Sequence, residues 1–287
     1  MDGIIIINKP KNYTSHDVVA KIRKILNIKK VGHTGTLDPN ATGVLPLLIG
    51  KGTLLSQYLV EHDKIYKATI LLGKRTDTLD GEGKIIEEKP ITKEALKEEN
   101  VIQILESFKG KQKQVPPIYS AIKINGKKLY EYARKGQKVE VKPRNIEIYD
   151  IKLKEIEKNT ITFIVHVSKG TYIRSLCDDI SKKLGTVGYM KELERQKVGK
   201  FNLEKAITIE ELENNKESIK DQIITIEQFF KEKEEIILEN EKLKLFLNGV
   251  QLSYDLVNGI YRIYDISEKF IGTGEIKDKK LKRKIVL

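Results

Sequence analysis

The run from Gly32 to Gly43 holds a single aspartate, Asp38, among three glycines and several short hydroxyl side chains. Glycines allow positive φ and the close approach of another chain, and Pro39 biases Asp38 towards extended backbone. A carboxylate held in this way can serve as a nucleophile or a base. The alternative is an ordinary turn in which Asp38 accepts a local hydrogen bond. The length of the patterned run favours a reactive aspartate.

The glycines of this region do not form either of the common phosphate-binding loops. A P-loop needs Ser or Thr after its Gly-Lys pair, but Gly50-Lys51 is followed by Gly52. The complete dinucleotide-binding fingerprint, Gly-x-Gly-x-x-Gly, is also missing from this run. Nucleotide cofactors are therefore disfavoured.

The chain has 287 residues, of which 39% are hydrophobic, and a formal net charge of +12. This length allows a large core and one or two domains. The excess of Lys and Arg predicts an acidic partner, with nucleic acid ahead of a membrane surface. The apolar run near the N-terminus is too short for a signal peptide, and no run reaches the length of a membrane span. We expect a cytoplasmic protein.

Metal and disulfide chemistry is not indicated by the sequence. Cys177 is the one cysteine, which excludes an internal disulfide and a cysteine-rich zinc site. We expect it to be a small buried side chain. The four histidines, His16, His33, His62 and His166, show no metal-ligand spacing. We expect no bound metal.

Hydrophobic periodicity predicts an α+β protein without a regular βαβ repeat. Strands are predicted at 4–7, 44–49, 66–72, 140–157 and 160–168, and helices from Ser15, from Thr92 to Phe108 and from Tyr172 to Leu184. Asn125-Gly126 predicts a hairpin turn. Asp38 therefore falls on a loop between packed elements. Arg174 falls in the first turn of a helix after a strand, where its guanidinium can point across the end of a sheet.

The charged run 231–235 marks a candidate domain boundary. Beyond it, Asn248-Gly249, Asn258-Gly259 and Gly272-Thr273-Gly274 are predicted to be turns of a small β domain. The basic run from Lys277 to Lys284 is either a solvated tail or a contact for phosphate groups.

Further motifs follow one another in order between residues 3 and 201. They are Asn8-Lys9-Pro10, Thr14-Ser15-His16, the run from Gly32 to Gly43, Lys64-Ile65-Tyr66-Lys67-Ala68, Gly73-Lys74-Arg75-Thr76-Asp77-Thr78, Pro116-Pro117-Ile118-Tyr119-Ser120-Ala121, Gly126-Lys127-Lys128-Leu129-Tyr130-Glu131-Tyr132-Ala133-Arg134 and Ser168-Lys169-Gly170-Thr171-Tyr172-Ile173-Arg174. By these motifs the chain resembles the TruB family, the bacterial tRNA pseudouridine-55 synthases, which isomerise the T-loop uridine of tRNA. The C-terminal segment carries much weaker marks of the resemblance.

The resemblance implies a mixed-sheet pseudouridine synthase catalytic domain at 1–232 and a small β-rich, PUA-like RNA-binding domain at 233–287. It implies a tRNA substrate bound through the T-arm, no obligatory protein partner and a monomer. The reaction breaks the C1′–N1 glycosidic bond, turns the base and joins its C5 to the ribose. Because no net redox change occurs, no cofactor is expected.

The resemblance also implies a catalytic carboxylate with a counter-charge and a stacking ring. Asp38 is the nucleophile or base, and Arg174 balances its charge in a dry site. Tyr66 stacks on the extruded uracil. Taken alone, Arg174 could be a structural or phosphate-binding residue, and Tyr66 a plain core residue.

Further substrate-binding residues rest on the resemblance alone. Tyr172 contacts the substrate, and Leu193 forms the apolar wall of the uracil site. His33 occupies the space left when the T-loop opens. Lys9, with Pro10, belongs to a motif beneath the active-site loop and is grouped with the substrate-binding residues.

Two pairs of residues depart from the family pattern. Tyr189-Met190 stands where Ala-His is common, and Glu194-Arg195 where Arg-Arg is common. Leu193 is left in place, but the expected RNA contacts nearby are in doubt. Glu194 should weaken phosphate attraction unless it faces away from the RNA.

Three rival functions remain open on the sequence. A guide-RNA-dependent relative is the nearest, although Thr34-Gly35-Thr36, Asn40-Ala41-Thr42, the absence of an N-terminal extension and the short C-terminal segment favour the stand-alone branch. A catalytically silent RNA-binding or chaperone protein would not need Asp38, Tyr66 and Arg174 together. A base-releasing glycosidase would also use a carboxylate, but would liberate free uracil.

Overall fold

The computed structural model describes residues 1–60, 62–137 and 139–287, with the backbone alone at 216–218. The strands are β1 (Gly3–Lys9), β2 (Val31–His33), β3 (Thr42–Ile49), β4 (Lys64–Leu72), β5 (Lys74–Thr76), β6 (Ile85–Glu88), β7 (Gly110–Gln114), β8 (Lys123–Ile124), β9 (Lys127–Lys128), β10 (Arg144–Glu157), β11 (Thr160–Val167), β12 (Gly188–Val198), β13 (Phe201–Asn202), β14 (Ile224–Thr225), β15 (Glu235–Leu238), β16 (Leu252–Ser253), β17 (Gly259–Asp265), β18 (Phe270–Lys277) and β19 (Lys280–Val286). The helices are α1 (Ser15–Leu26), α2 (Ser56–Leu59), α3 (Glu98–Glu106), α4 (Leu129–Arg134), α5 (Ile173–Lys183), α6 (Ile209–Asn214), α7 (Ile226–Phe229) and α8 (Asn240–Leu247). This mixture of helices and strands is the predicted α+β class.

The larger sheet is mixed and runs in the order β14-β1-β3-β12-β4-β11-β10-β7, with β2 beside β3 and β13 beside β12. In the described part of this sheet only β3 and β12 pair in parallel. That pairing sets Gly43, the last residue of the Asp38 run, beside Arg195 in β12. The Asp38 loop, which joins β2 to β3, is therefore held next to the middle of the sheet.

The isoleucines of β1 face two different cores. Ile5 and Ile7 belong to the larger apolar cluster, whereas Ile4 and Ile6 belong to a second cluster on the other face. A strand buried on both faces is expected to be a continuous apolar run, as the sequence shows. In β11 the buried residues alternate instead, and Phe163 is fully buried while its neighbour Thr162 is partly exposed.

Helix α1 begins as predicted. Thr14 caps it in a reciprocal arrangement with Asp17: the Thr14 hydroxyl accepts the Asp17 N–H at 3.0 Å, and the Asp17 carboxylate accepts the Thr14 N–H at 2.8 Å. The predicted hairpin turn at Asn125-Gly126 is also present, with φ of 49° and 80°.

The predicted helix from Thr92 to Phe108 is wrong in its first part. The Thr92 hydroxyl accepts the Ala95 N–H at 3.2 Å, so it caps only the 3₁₀ turn Glu94–Leu96. Lys97 then adopts extended backbone, and α3 starts after it. The predicted strand 140–157 starts late, at Arg144, because Pro143 has no N–H to donate to the neighbouring strand.

The segment beyond 234 contains a five-stranded sheet in the order β15-β17-β18-β19-β16. The predicted turn at Gly272-Thr273-Gly274 is wrong, because these residues lie inside β18. A Cβ on Gly272 would collide with the Ile285 carbonyl oxygen of β19, and a Cβ on Gly274 would collide with the side chain of Leu281. The glycines therefore allow β19 to approach closely. The basic run is a β18–β19 hairpin rather than a tail.

The boundary between 232 and 233 remains a prediction. It falls between α7 and β15, but Ile285 of β19 packs into the same cluster as Ile4 and Ile6 of β1. The C-terminal sheet thus shares a core with the larger sheet. Among the described residues, no helix is long and apolar enough to cross a membrane.

Candidate active site

The Asp38 carboxylate is engaged on both oxygens by one arginine. Arg174 Nε lies 3.1 Å from Asp38 Oδ2, and Arg174 Nη2 donates to Asp38 Oδ1 at 3.3 Å. The Arg174 side chain is 7% exposed, whereas that of Asp38 is 37% exposed. The expected contact between the two is present, and the carboxylate is accessible from outside.

Arg174 is itself fixed from several directions. Its Nη1 donates to the Thr78 carbonyl at 3.1 Å and lies 3.4 Å from Asp80 Oδ2. Its Nη2 also donates to the Tyr119 carbonyl at 2.9 Å. Because the guanidinium lies between Asp38 and the largely buried Asp80, it cannot turn without breaking several bonds. The sequence reasoning missed Asp80, which lies only two residues beyond the motif that ends at Thr78.

The protonation state of Asp38 is set by opposing effects. Burial raises the pKa of its carboxyl group above the usual value, and the Asp80 carboxylate adds to the rise. The Arg174 guanidinium and the Lys9 ammonium pull the pKa of Asp38 downwards. The net direction is upwards, so the carboxylate is a stronger base than an aspartate in water.

The predicted uracil walls lie on one side of the sheet. In the β4–β12 pairing, Ala68 is opposite Leu193 and Tyr66 is opposite Arg195, and directly paired residues project from the same face. Tyr66 and Leu193 are each 8% exposed and belong to the same cluster as Leu37, the residue before Asp38. An aromatic ring and an apolar side chain therefore lie on one face of β4 and β12, and β12 pairs with Gly43 at the end of the Asp38 loop.

Tyr172 is held by its backbone at the start of α5. Its N–H donates to Gln114 Oε1 at 2.8 Å, and Gln114 Nε2 donates back to the Tyr172 carbonyl at 3.1 Å. The next hydroxyl along the helix, Ser175 Oγ, donates to the Val115 carbonyl at 2.9 Å. The end of β7 is thus tied to the helix turn that presents Arg174. Sequence reasoning missed Gln114, because an isolated glutamine carries no spacing signal.

Lys9 lies under the Asp38 loop and is fully buried. Its ammonium donates to the carbonyls of Pro10, Tyr13 and Pro39 at 2.9, 2.6 and 3.0 Å. Burial lowers the pKa of Lys9 to about 8. The Lys9 ammonium therefore supports the backbone on both sides of the loop.

His33 ends β2 immediately before the loop. Its ring makes an edge contact with His16 at a centroid distance of 5.2 Å. Burial lowers the pKa of His33, and neighbouring His16 and Arg195 lower it further. Its Nδ1 has no hydrogen-bond partner among the described residues. A neutral, partly buried imidazole is the result.

The two departures from the family pattern both lie in β12. Glu194 pairs with Lys67, whereas its neighbours Leu193 and Arg195 pair with residues on the Asp38 side. Glu194 therefore faces away from the site. Arg195 is 1% exposed and donates to backbone carbonyls of the chain itself.

The structure also shows the surroundings of the single cysteine and of possible metal ligands. Cys177 is completely buried, as predicted, and burial raises the pKa of its thiol. Within the described ranges, no group of three or more His, Cys, Asp or Glu side chains is placed to hold a metal ion.

Three family models match successive parts of the chain. They are "TruB family pseudouridylate synthase (N terminal domain)" at residues 23–173, "tRNA pseudouridylate synthase B C-terminal domain" at 174–237 and "Pseudouridine synthase II TruB, C-terminal" at 235–287. Relatives named tRNA pseudouridine synthase B include one from Clostridium kluyveri, 45% identical over 98% of each chain. Another, from Clostridium tetani, is 46% identical over 96% of each chain.

Solved structures with a similar fold include chains from two complexes. One chain, from an H/ACA ribonucleoprotein bound to a substrate RNA containing 2′-deoxyuridine, has 26% identity and a TM-score of 0.70, covering 99% of this chain and 85% of that one. A second, from a Cbf5-Nop10-Gar1 complex, has 29% identity and a TM-score of 0.68, covering 95% of this chain and 78% of that one.

Proposed function

The chain belongs to the TruB family of pseudouridylate synthases, and on that premise we propose that it isomerises the T-loop uridine of tRNA with Asp38 as nucleophile or base. It is an RNA pseudouridine synthase, an isomerase of the kind that modifies tRNA. The observation that supports the role of Asp38 is its accessible carboxylate, aligned on both oxygens by Arg174. The position of the target uridine is part of the proposal.

The proposed reaction keeps its atoms and electrons in balance. The C1′–N1 bond breaks, the uracil turns, C5 bonds to C1′, and the C5 proton leaves while N1 gains one. Attack by Asp38 on the ribose, attack on the base and proton abstraction all need an ionised carboxylate oxygen. Arg174 favours that ionised form and fixes its direction.

Tyr66, Tyr172, Leu193 and His33 are proposed as substrate contacts. A base stacked on a ring such as Tyr66 gains roughly 1–3 kcal/mol, which is comparable with the cost of taking the uridine out of its stack. Leu193 would close the other side of the uracil. Lys9 is proposed to act indirectly, by holding the Asp38 loop.

We also propose that the chain acts on the T-arm as a monomer without a guide RNA or obligatory partner. The Clostridium kluyveri relative aligns over 98% of both chains, whereas the chains from the two solved complexes extend beyond the matched part. A tRNA substrate would place the activity in the cytoplasm.

The proposed reaction is tested by comparing the amount of uridine consumed with the amounts of pseudouridine and free uracil formed. Purified protein is incubated with an unmodified T-arm hairpin, and the digested RNA is analysed for uridine, pseudouridine and free uracil. We expect each uridine consumed to return as one pseudouridine. Free uracil in place of pseudouridine would indicate a glycosidase, and unchanged uridine with bound RNA would indicate a binding protein.

The β18–β19 hairpin is proposed to contact tRNA phosphates as part of a PUA-like domain at 233–287. Lys277 and Lys282 are exposed, and their register places them on the same face, with Ile276 and Leu281 buried on the other. Affinity for tRNA falls as the salt concentration rises. Replacing both lysines with glutamine should make the plot of log affinity against log salt less steep, by about 0.7–0.9 for each phosphate that the hairpin no longer neutralises. The single-turnover rate at saturating enzyme should not change.

The matched control for this prediction is the same exchange at Lys154 and Lys158. These exposed lysines lie by the β10–β11 turn, at the opposite end of β11 from the segment that leads to Arg174. The control removes the same charge and should leave the salt slope near that of the wild type. Equal slopes for the two double variants would refute a specific contact through the hairpin.

A further inference from the structure

We propose that Arg195 is a positioning residue that closes the Asp38 loop by binding both of its ends. This inference rests on the proposed role of Asp38, because it concerns how that carboxylate is held in place. Arg195 lies in β12, far from the loop in sequence. Among the described residues it has the largest fully buried side chain, and that side chain reaches the backbone of the loop.

The two hydrogen bonds of the guanidinium bracket the loop. Arg195 Nη2 donates to the Gly35 carbonyl at 2.8 Å, before Asp38 in the chain. Arg195 Nε donates to the Val44 carbonyl at 2.7 Å, after Asp38 and within β3. One rigid planar group therefore fixes the separation of the residues where the loop leaves and rejoins the packed structure.

The glycines at these ends fit the same arrangement. Gly35 has a φ of +71°, and a Cβ there would lie 3.3 Å from Arg195 Nη1. Gly43 has a φ of +103°, and a Cβ there would collide with the Arg195 backbone. Positive φ at both ends lets the loop lie against β12. The glycine pattern of this run is thus explained by Arg195 as well as by Asp38.

Other buried groups hold the inside of the loop. The Ser15 hydroxyl accepts the Leu37 N–H at 2.9 Å, and Lys9 Nζ donates to the Pro39 carbonyl at 3.0 Å. These contacts fix single points on either side of Asp38. The Thr34 N–H donates to the Pro46 carbonyl at 3.2 Å and joins β2 to β3 at the base of the loop, whereas the Arg195 side chain joins Gly35 to Val44, nearer to Asp38 on both sides. We therefore assign to Arg195 the span of the loop beyond that backbone bond.

Burying an arginine at this position is less favourable in free energy than burying an apolar side chain, so packing alone does not explain it. In the described part of the chain, no ion pair joins Arg195 to a carboxylate, and its charge helps to lower the pKa of nearby Lys9 and His33. Burying an unpaired charge is unfavourable. A lysine would keep the charge but could not donate from two fixed directions to Gly35 and Val44.

The test compares Arg195→Lys with Val198→Ala. Val198 lies on the same strand and is buried in the second cluster, on the face of the sheet opposite to Tyr66 and Leu193, and its side chain makes no hydrogen bond to the loop. Single-turnover rate, tRNA affinity and melting temperature are measured for both. We expect Arg195→Lys to lose about 10- to 100-fold in rate, since small misplacements of a reacting group cost this much, with affinity within about threefold.

The pH dependence separates positioning from general destabilisation. If the loop loosens, Asp38 changes both its burial, which raises its pKa, and its distance from the Arg174 guanidinium, which lowers it. The acid limb of the rate profile should then shift in Arg195→Lys and remain unchanged in Val198→Ala. A rate loss in Arg195→Lys no larger than in the control at an equal melting temperature would overturn the proposal.

Gly35→Ala provides a second route should Arg195→Lys fail to fold. It leaves Arg195 in place but strains the same contact, so it should lower the rate and move the acid limb in the same direction. Where Arg195→Lys does fold, the rate losses of the two substitutions should be less than multiplicative in the double variant, because both break one contact. A wild-type rate in Gly35→Ala, or fully multiplicative losses, would contradict the proposal. Asp38→Asn separates this failure from failure of the proposed function, since it tests the carboxylate alone.

Discussion

Asp38→Asn is expected to lose at least about 10³-fold in pseudouridine formation, the scale seen when an essential nucleophile or base is removed. The amide has nearly the same shape but cannot act as an anionic nucleophile or accept a proton as a carboxylate does. Affinity for tRNA should stay within a few-fold. The measurement is the single-turnover rate on an unmodified tRNA, with affinity determined separately.

Folding should survive this substitution. Because burial raises the pKa of Asp38, its ionised form costs stability above the unfolded pKa, and the neutral amide removes that cost. Arg174 keeps Asp80 and the carbonyls of Thr78 and Tyr119. In the wild type, the rate should fall as the pH drops through the raised pKa of Asp38. Near-normal turnover by a folded Asp38→Asn protein would contradict the proposed mechanism.

Arg174→Lys should reduce the single-turnover rate by about 10²-fold or more, the effect of removing an aligned donor from a reaction site. Lysine keeps the positive charge but not the planar fork that engages both oxygens of Asp38. It also cannot reproduce the simultaneous bonds to Thr78, Asp80 and Tyr119. The carboxylate would then be charged but poorly aligned.

Arg75→Lys is the matched control. Arg75 makes a similar two-point contact with Asp178 on the same helix, at 2.6 and 3.3 Å, without touching Asp38. We expect its rate to remain within about tenfold of the wild type, because it lies outside the site. If both Arg174→Lys and Arg174→Ala keep the wild-type rate, the role assigned to Arg174 is wrong.

The sequence predicts those parts of the fold that local rules determine. The capped start of α1, the alternating burial of β11 and the turn at Asn125-Gly126 follow from side-chain periodicity and turn chemistry. Strand β12 was missed, although it is central to the sheet. Its mixture of charged and apolar residues does not resemble a buried strand until its partners β3 and β4 are known.

In the candidate active site, too, the residues marked by local motifs were predicted, and those whose roles depend on distant partners were not. Asp38 and Arg174 were found because motifs mark them, and their contact is present. Asp80, Gln114 and Arg195 were missed or misread because their roles depend on distant partners. Nothing local distinguishes an arginine that donates to Gly35 and Val44 from one on the surface. Likewise, the glycines of β18 resemble a turn until Ile285 is seen to lie against Gly272 and Leu281 against Gly274.

The most direct measurement is a map of pseudouridine at single-nucleotide resolution. Unmodified full-length tRNA is incubated with the purified wild-type chain, with no guide RNA, cofactor or second protein, and in parallel with Asp38→Asn. The proposed function predicts pseudouridine at the T-loop uridine with the wild-type protein and none with the variant. Modification that requires a guide RNA, that occurs elsewhere, or that persists in Asp38→Asn would contradict it.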